Sequence, residues 1–319
     1  MTFRPSSPSA RTARDLTPQP TTSGFGLLVI AGLLWGTGGV TGAALADATG
    51  LGGPAVATYR IGLGGLLLVL VLLAQRRRVP RGRPAVTRIL LTGLLAALFQ
   101  GCYFAGVQLA SVSIATLIAI GSAPMVVILT QSVRQHRLPT VRQLRPVVLG
   151  ITGLAVLVLG PGGGDRGPDL LAGTALALAA GAAFAIFTML GARRHVGTDA
   201  PMVTGYGFLA GGVMLAVVTV PFSPMTFAPT VKGLGLLTLL AVVPTALAYT
   251  VYFRGLPHAG AATATVVALL EPLTATVLAV LLLGEPLSLP LVLGGALLLS
   301  SVLDARPRVP NEHPAPHQR

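Results

Sequence analysis

Two ionisable side chains stand inside otherwise apolar text: Arg60 in PAVATYRIGLGGLLLVLVLL and Glu271 in ATVVALLEPLTATVLAVLLL. A charge in hydrocarbon costs at least about 2.5–3.5 kcal/mol to insert, so each needs a partner or a wet cavity. Three chemistries fit. Arg60 can snorkel toward water, the two can clamp helices together, or they can bind a solute or exchange a proton. Arg60 lies roughly 10 Å from one membrane boundary at 1.5 Å per residue, and Glu271 roughly 12 Å from the same one. At matching depth, an ion pair, direct or through water, is geometrically allowed.

Other side chains suit the wall of an amphipathic cavity. Trp35, Tyr103, Tyr206 and Tyr249 carry large apolar rings with one polar atom that wants a partner when buried. Gln100 is the one amide deep in an apolar run, fit to bond a solute or to glue helices. With Arg60 and Glu271 these five are the candidate substrate-binding residues. Core packing is the alternative for Trp35. Tyr252 could line the same cavity, but it and Tyr59 lie nearer span ends, where an interfacial belt is expected. Pro124, Pro244 and Pro272 interrupt apolar runs. Each frees a backbone carbonyl and kinks its helix, which marks a hinge candidate or plain helix shaping. Gly62, Gly64, Gly65, Gly205, Gly207, Gly211 and Gly212 permit close backbone approach.

These residues need elements to hold them. The chain is 53% hydrophobic and 10% charged, with a mean hydropathy of +0.79. A soluble domain carries about 25% charged residues, so a soluble enzyme and a disordered chain are excluded. One cysteine, Cys102, leaves no internal disulfide. Ten apolar stretches are long enough to cross a bilayer: 24–44, 53–74, 87–107, 112–132, 143–160, 171–192, 202–222, 234–253, 259–281 and 286–303. They are continuous rather than alternating, which selects helices over a barrel. The predicted fold is an all-α membrane protein with ten transmembrane helices. Ala44-Leu45-Ala46 resembles a signal cleavage site, but the preceding run exceeds the usual 7–15 residues, so it is retained as the first span.

Charge orients the spans. The formal net charge is +13. Basic residues gather at residues 4–14, 76–88, 134–145, 193–194, 254 and 306–319, which alternate links place on one side. Arg166 and Lys232 fall on the other. The positive-inside rule puts both termini in the cytoplasm. It also accounts for the high pI without nucleic acid; an anionic-lipid patch at 76–83 is the alternative use of that run. Residues 1–23 and 304–319 are expected to be disordered cytoplasmic ends, and 161–170 a periplasmic or extracellular linker.

The chain also repeats itself. A shift of 149 lays GFGLLVIAG (24–32) on GTALALAAG (173–181), and CYFAGVQLASVSIAT (102–116) on VYFRGLPHAGAATAT (251–265). A shift of 147 lays Pro54, Val56, Tyr59, Gly64 and Gly65 on Pro201, Val203, Tyr206, Gly211 and Gly212. Each copy, 24–160 and 171–303, holds five spans. Five is odd, so the second copy enters the membrane upside down. Inverted repeats are a common construction of secondary transporters, with a site near the midplane between the halves.

On these features, residues 24–303 resemble the EamA family of the drug/metabolite transporter superfamily. The likeness lies in the two five-helix repeats, Trp35-Gly36, Arg60, Glu271-Pro272 and LLLGEPLSLPLVLGGALLL (281–299). The first repeat departs from the pattern, having Gln135-His136-Arg137 where the second has Gly284-Glu285-Pro286. The resemblance implies a bacterial inner-membrane carrier that exports amino acids, related metabolites or amphipathic drugs by alternating access, with a proton as a candidate coupling ion. A nucleotide-sugar or sugar-phosphate exchanger is the second transport reading, and a membrane enzyme or non-transporting scaffold the reading of another class. Enzyme chemistry is not expected. Gly162-Gly163-Gly164-Asp165 lacks the residues of a phosphate loop, the five histidines have no ligand spacing, and no nucleophile–base–acid set converges. No catalytic residue, metal or cofactor is assigned, and oligomeric state is left open.

Overall fold

The structure is a computed structural model that describes residues 22–77, 79–158, 169–193, 200–283 and 287–306. Most of the expected terminal segments, the heart of the 161–170 linker and the Gly284-Glu285-Pro286 motif lie outside these residues. Every described element is a helix. Seven single helices come first: α1 (Thr22–Thr49), α2 (Gly53–Ala74), α3 (Arg83–Leu109), α4 (Val112–Gln135), α5 (Val141–Val158), α6 (Leu170–Ala192) and α7 (Ala200–Thr219). The eighth span joins α8 (Val231–Ala241), a π turn (Val242–Leu247) and α9 (Ala248–Ala259). The ninth joins α10 (Ala261–Val267) and α11 (Leu270–Leu283), and α12 (Leu289–Asp304) is the tenth. Among the described residues, nine helical stretches have the length and hydropathy to cross a membrane, and α12 is a shorter apolar helix of 16 residues.

Local chemistry sets the ends. Ser111, Asp169, Thr230 and Ser288 each accept a hydrogen bond from a backbone N–H in the first turn of α4, α6, α8 and α12. Such caps satisfy donors that the helix itself leaves open. Prolines open α2, α3 and α12, where a missing N–H costs nothing. His136 closes α4 in the left-handed conformation.

Packing follows the repeat. Helix α1 packs on α9 and α11, and its counterpart α6 packs on α3 and α4. Helix α2 packs on its own counterpart α7, and α5 on α12. Glycine pairs mark the equivalence. Gly24 lies against Gly255, and Gly173, 149 residues on, lies where Gly106 points at its carbonyl. Gly62 meets Gly212, Gly93 meets Gly211 and Gly153 meets Gly294, so these helices touch backbone to backbone. Without a hydrophobic drive between helices in lipid, this close contact is what holds a bundle together. Two related copies of odd span number thus pack as inverted repeats about one shared axis.

One expectation is corrected. Tyr252 is not an interfacial residue: it is fully buried, and its hydroxyl hydrogen-bonds Thr188 Oγ1 at 2.7 Å. The eighth span continues to Ala259 rather than stopping at residue 253, which carries Tyr252 well inside the bundle. Tyr59 lies near a span end and donates to the carbonyl of Met225 at 2.6 Å.

Candidate functional site

A cavity of about 650 Å³ lies between the repeats. Its mouth is built from Ala46 at the end of α1, Gly53 at the start of α2, Ser113 at the start of α4 and Val158 at the end of α5. All four helix ends lie on the face opposite to that carrying the start of α1 and the end of α12. Its floor is built from Trp35, Phe184, Tyr249 and Glu271.

Six of the seven candidate residues line this one cavity: Trp35, Arg60, Gln100, Tyr103, Tyr249 and Glu271. They come from α1, α2, α3, α9 and α11, so no single segment holds the site. Tyr206 does not join them. It is half-buried on α7, on the closed side of the bundle. Pro272 lines the cavity, whereas Pro124 and Pro244 are buried behind it. Pro244 sits within the π turn, the local irregularity that a helix interior proline would provoke.

Arg60 and Glu271 face the same space, yet no ion pair joins them. The Arg60 Nε donates instead to Thr245 Oγ1 at 3.3 Å. The Glu271 carboxylate has no hydrogen-bond partner among the described residues, and its backbone N–H is used by Ala268 at 3.0 Å. A basic and an acidic side chain therefore border one cavity without bridging each other. Tyr103 donates to or accepts from Thr116 at 2.8 Å along the wall. Apart from Ser113 and Thr276 the remaining lining is apolar or aromatic, including Phe99, Phe104 and Ile120. A small solute with charged and apolar parts matches such a surface. Among the described residues no three of His, Cys, Asp and Glu converge on a metal-binding geometry.

Beyond the floor the passage is sealed by aromatic rings. Trp35 lies 4.9 Å from Tyr249 and 4.8 Å from Tyr252, centroid to centroid, and Phe208 lies 4.5 Å from Tyr249. Phe187 and Phe253 continue the plug at 5.1 Å. The indole N–H of Trp35 is buried within it without an acceptor among the described residues. Two arginines tie the repeats together on the same closed side. Arg88 Nη2 donates to the carbonyls of Leu190 at 3.2 Å and Arg193 at 3.1 Å, at the end of α6. Arg145 forms a two-pronged ion pair with Asp304, joining α5 to α12.

Phe184 and Thr245 were not singled out by sequence. The signal for Phe184 was present, since a shift of 149 carries Trp35 onto it. Thr245 was signalled only by following a mid-span proline.

A bundle of inverted repeats around an amphipathic cavity, open at one face and sealed at the other, is the build of a membrane transporter. The chain belongs to the EamA-like transporter family, which matches it twice, over residues 22–159 and 171–303. It is 29% identical to the uncharacterized transporter YwfM of Bacillus subtilis, over 91% of this chain and 96% of that protein. It is 25% identical to the uncharacterized inner membrane transporter YicL of Salmonella typhimurium, over 88% and 95%. A crystal structure of 20% sequence identity has the same fold, with a TM-score of 0.75, covering 89% of this chain and 96% of the other.

Proposed function

We propose that the protein is a secondary transporter that exports a small organic solute, and that the cavity holding Arg60 and Glu271 is its solute site. The observation that carries this reading is the pair of unbridged opposite charges sharing one space of about 650 Å³. A solute with a carboxylate, an amino group and an apolar body would meet Arg60, Glu271 and the aromatic walls at once. Gln100 and Tyr103 would supply further hydrogen bonds.

The cycle is alternating access. Each repeat takes up the conformation of the other, so that the open face closes and the aromatic plug parts. If the arginine-rich links lie in the cytoplasm of a bacterial cell, as the positive-inside rule suggests, the cavity would face outward. An inner-membrane location agrees with that of the Salmonella relative, an inner membrane transporter. A proton is the proposed coupling ion, with Glu271 as its carrier; Pro124, Pro244 and Pro272 are the proposed hinges.

The test uses purified full-length protein in proteoliposomes, with and without an imposed pH gradient. Three radiolabelled probes share one ring: L-phenylalanine, 3-phenylpropionate and phenethylamine, which are zwitterion, anion and cation. Movement of at least one above protein-free vesicles, lost in Arg60→Ala and Glu271→Gln, is the expected result. Movement of none by the wild-type protein overturns the reading.

A further inference from the structure

We infer that Thr245 is the positioning residue that holds the Arg60 guanidinium facing the cavity, and that the π turn exists to present it. This rests on Arg60 serving the solute site proposed above. The derivation starts at Pro244. Proline has no N–H, so the carbonyl of Leu240, four residues back, loses its helical donor. The hydroxyl of Thr245 donates to that carbonyl at 2.8 Å. Its proton is thereby committed, and its oxygen is left as an acceptor. Arg60 Nε donates to that oxygen at 3.3 Å across the gap between α2 and the π turn.

The surroundings leave Thr245 little freedom. It is fully buried, and its methyl packs where α2 has Gly64 instead of a side chain. Gly38 of α1 borders both Pro244 and the Arg60 Nη1 atom, which keeps that side of the guanidinium clear. With Nε held by the hydroxyl, Nη1 and Nη2 remain to meet an anionic group in the cavity. The arrangement occurs in one repeat only. The shift of 147 puts Gly207 at the place of Arg60. The shift of 149 puts Leu95 and Ala96 at the places of Pro244 and Thr245. On that side α3 and α7 close on each other through Gly93, Gly207 and Gly211. The proline, threonine and arginine are thus a single device rather than a property of the repeat.

Thr245→Val keeps the shape and removes the hydroxyl; Thr245→Ser keeps the hydroxyl. In proteoliposomes, Thr245→Val is expected to raise KM about tenfold for L-phenylalanine and 3-phenylpropionate, which carry a carboxylate. The KM for phenethylamine and the maximal rates stay within about twofold, and Thr245→Ser restores wild-type values. An equal change for all three probes, or none, overturns the inference. A second measurement needs no solute. Phenylglyoxal attacks the Nη atoms, and mass spectrometry of the peptide containing Arg60 reads the rate. Valine at 245 is expected to slow this labelling and serine to leave it unchanged. An unchanged rate with valine overturns the inference, even where wild-type protein moves none of the three probes and the solute reading itself has failed.

Discussion

Trp35 and Phe184 occupy equivalent places in the two repeats and meet edge to face, ring centroids 6.1 Å apart. A residue that touches its own counterpart lies on the axis relating the two copies. Here that axis passes through the floor of the cavity. The pair separates the open side from the sealed side, and in the proposed cycle these rings would have to roll past each other. The asymmetry of the pair matters too, because only Trp35 brings an N–H, and that N–H is unsatisfied in the sealed plug.

Truncating the indole should therefore cost both packing and the seal. Trp35→Ala is expected to lower stability by about 3–5 kcal/mol, as for other large core truncations. Trp35→Phe keeps the ring stack and removes the orphaned donor, so its loss should be much smaller. Thermal unfolding of the two variants in detergent compares them directly; equal losses would contradict the packing assignment.

The arginine tie on the closed side should govern access from the face that bears the start of α1 and the end of α12. Arg88 makes two charge-assisted bonds to backbone carbonyls across the repeats. Thr188 is fully buried beneath that face. In a Cys102→Ser background, a cysteine introduced by Thr188→Cys should be labelled about tenfold faster from that face once Arg88→Ala is added, by the loss of such bonds. A cysteine introduced by Ser113→Cys, at the mouth of the cavity, should label from the opposite face and slow correspondingly. Labelling that does not respond to Arg88→Ala would show the tie to be idle.

Close helix contact makes a sharp stability prediction. A methyl group at Gly65 would collide with the backbone of Phe208 and Leu209 on α7. Gly65→Ala is expected to destabilise by about 1–3 kcal/mol through overpacking. At Gly26 a methyl group would meet nothing within 4 Å. Gly26→Ala should be neutral or stabilising by up to about 1 kcal/mol, the helix-propensity difference. Reversal of this order in a detergent unfolding series would refute the backbone contact.

Glu271 provides the functional counterpart. Glu271→Gln preserves size and hydrogen bonding but removes the charge. Expression and unfolding temperature should match wild type, since no protein partner is lost. Transport of phenethylamine should fall at least about tenfold, the order expected for a lost charge-assisted contact. Full transport by this variant would remove Glu271 from the site.

Much of this was legible one residue at a time. Apolar runs of about 20 residues mark spans because every backbone group in lipid must be satisfied within its own helix. That is a local requirement, so nine of the ten spans lie within a few residues of their expected limits. The largest departure is in the eighth, where a π turn at Pro244 lets the helix run on to Ala259. Arg60, Gln100 and Glu271 were conspicuous because polarity in hydrocarbon is costly. Tyr206 was chosen by residue type alone, and type does not say which face of α7 meets the cavity.

The sequence by itself determined the number and length of the helices, their pairing into two inverted copies, and the few polar groups that must find company inside. Hydrophobic length and internal similarity carry that information without reference to distant contacts. Only the tertiary structure decided which end of the cavity stands open and that Arg60 turns to Thr245 rather than to Glu271. Those outcomes depend on contacts between residues distant in the chain, 185 positions for Arg60 and Thr245 and more for Trp35 and Tyr252. In a protein built from two similar halves the local sequence is nearly repeated, so these differences between the halves come from packing rather than from either half alone.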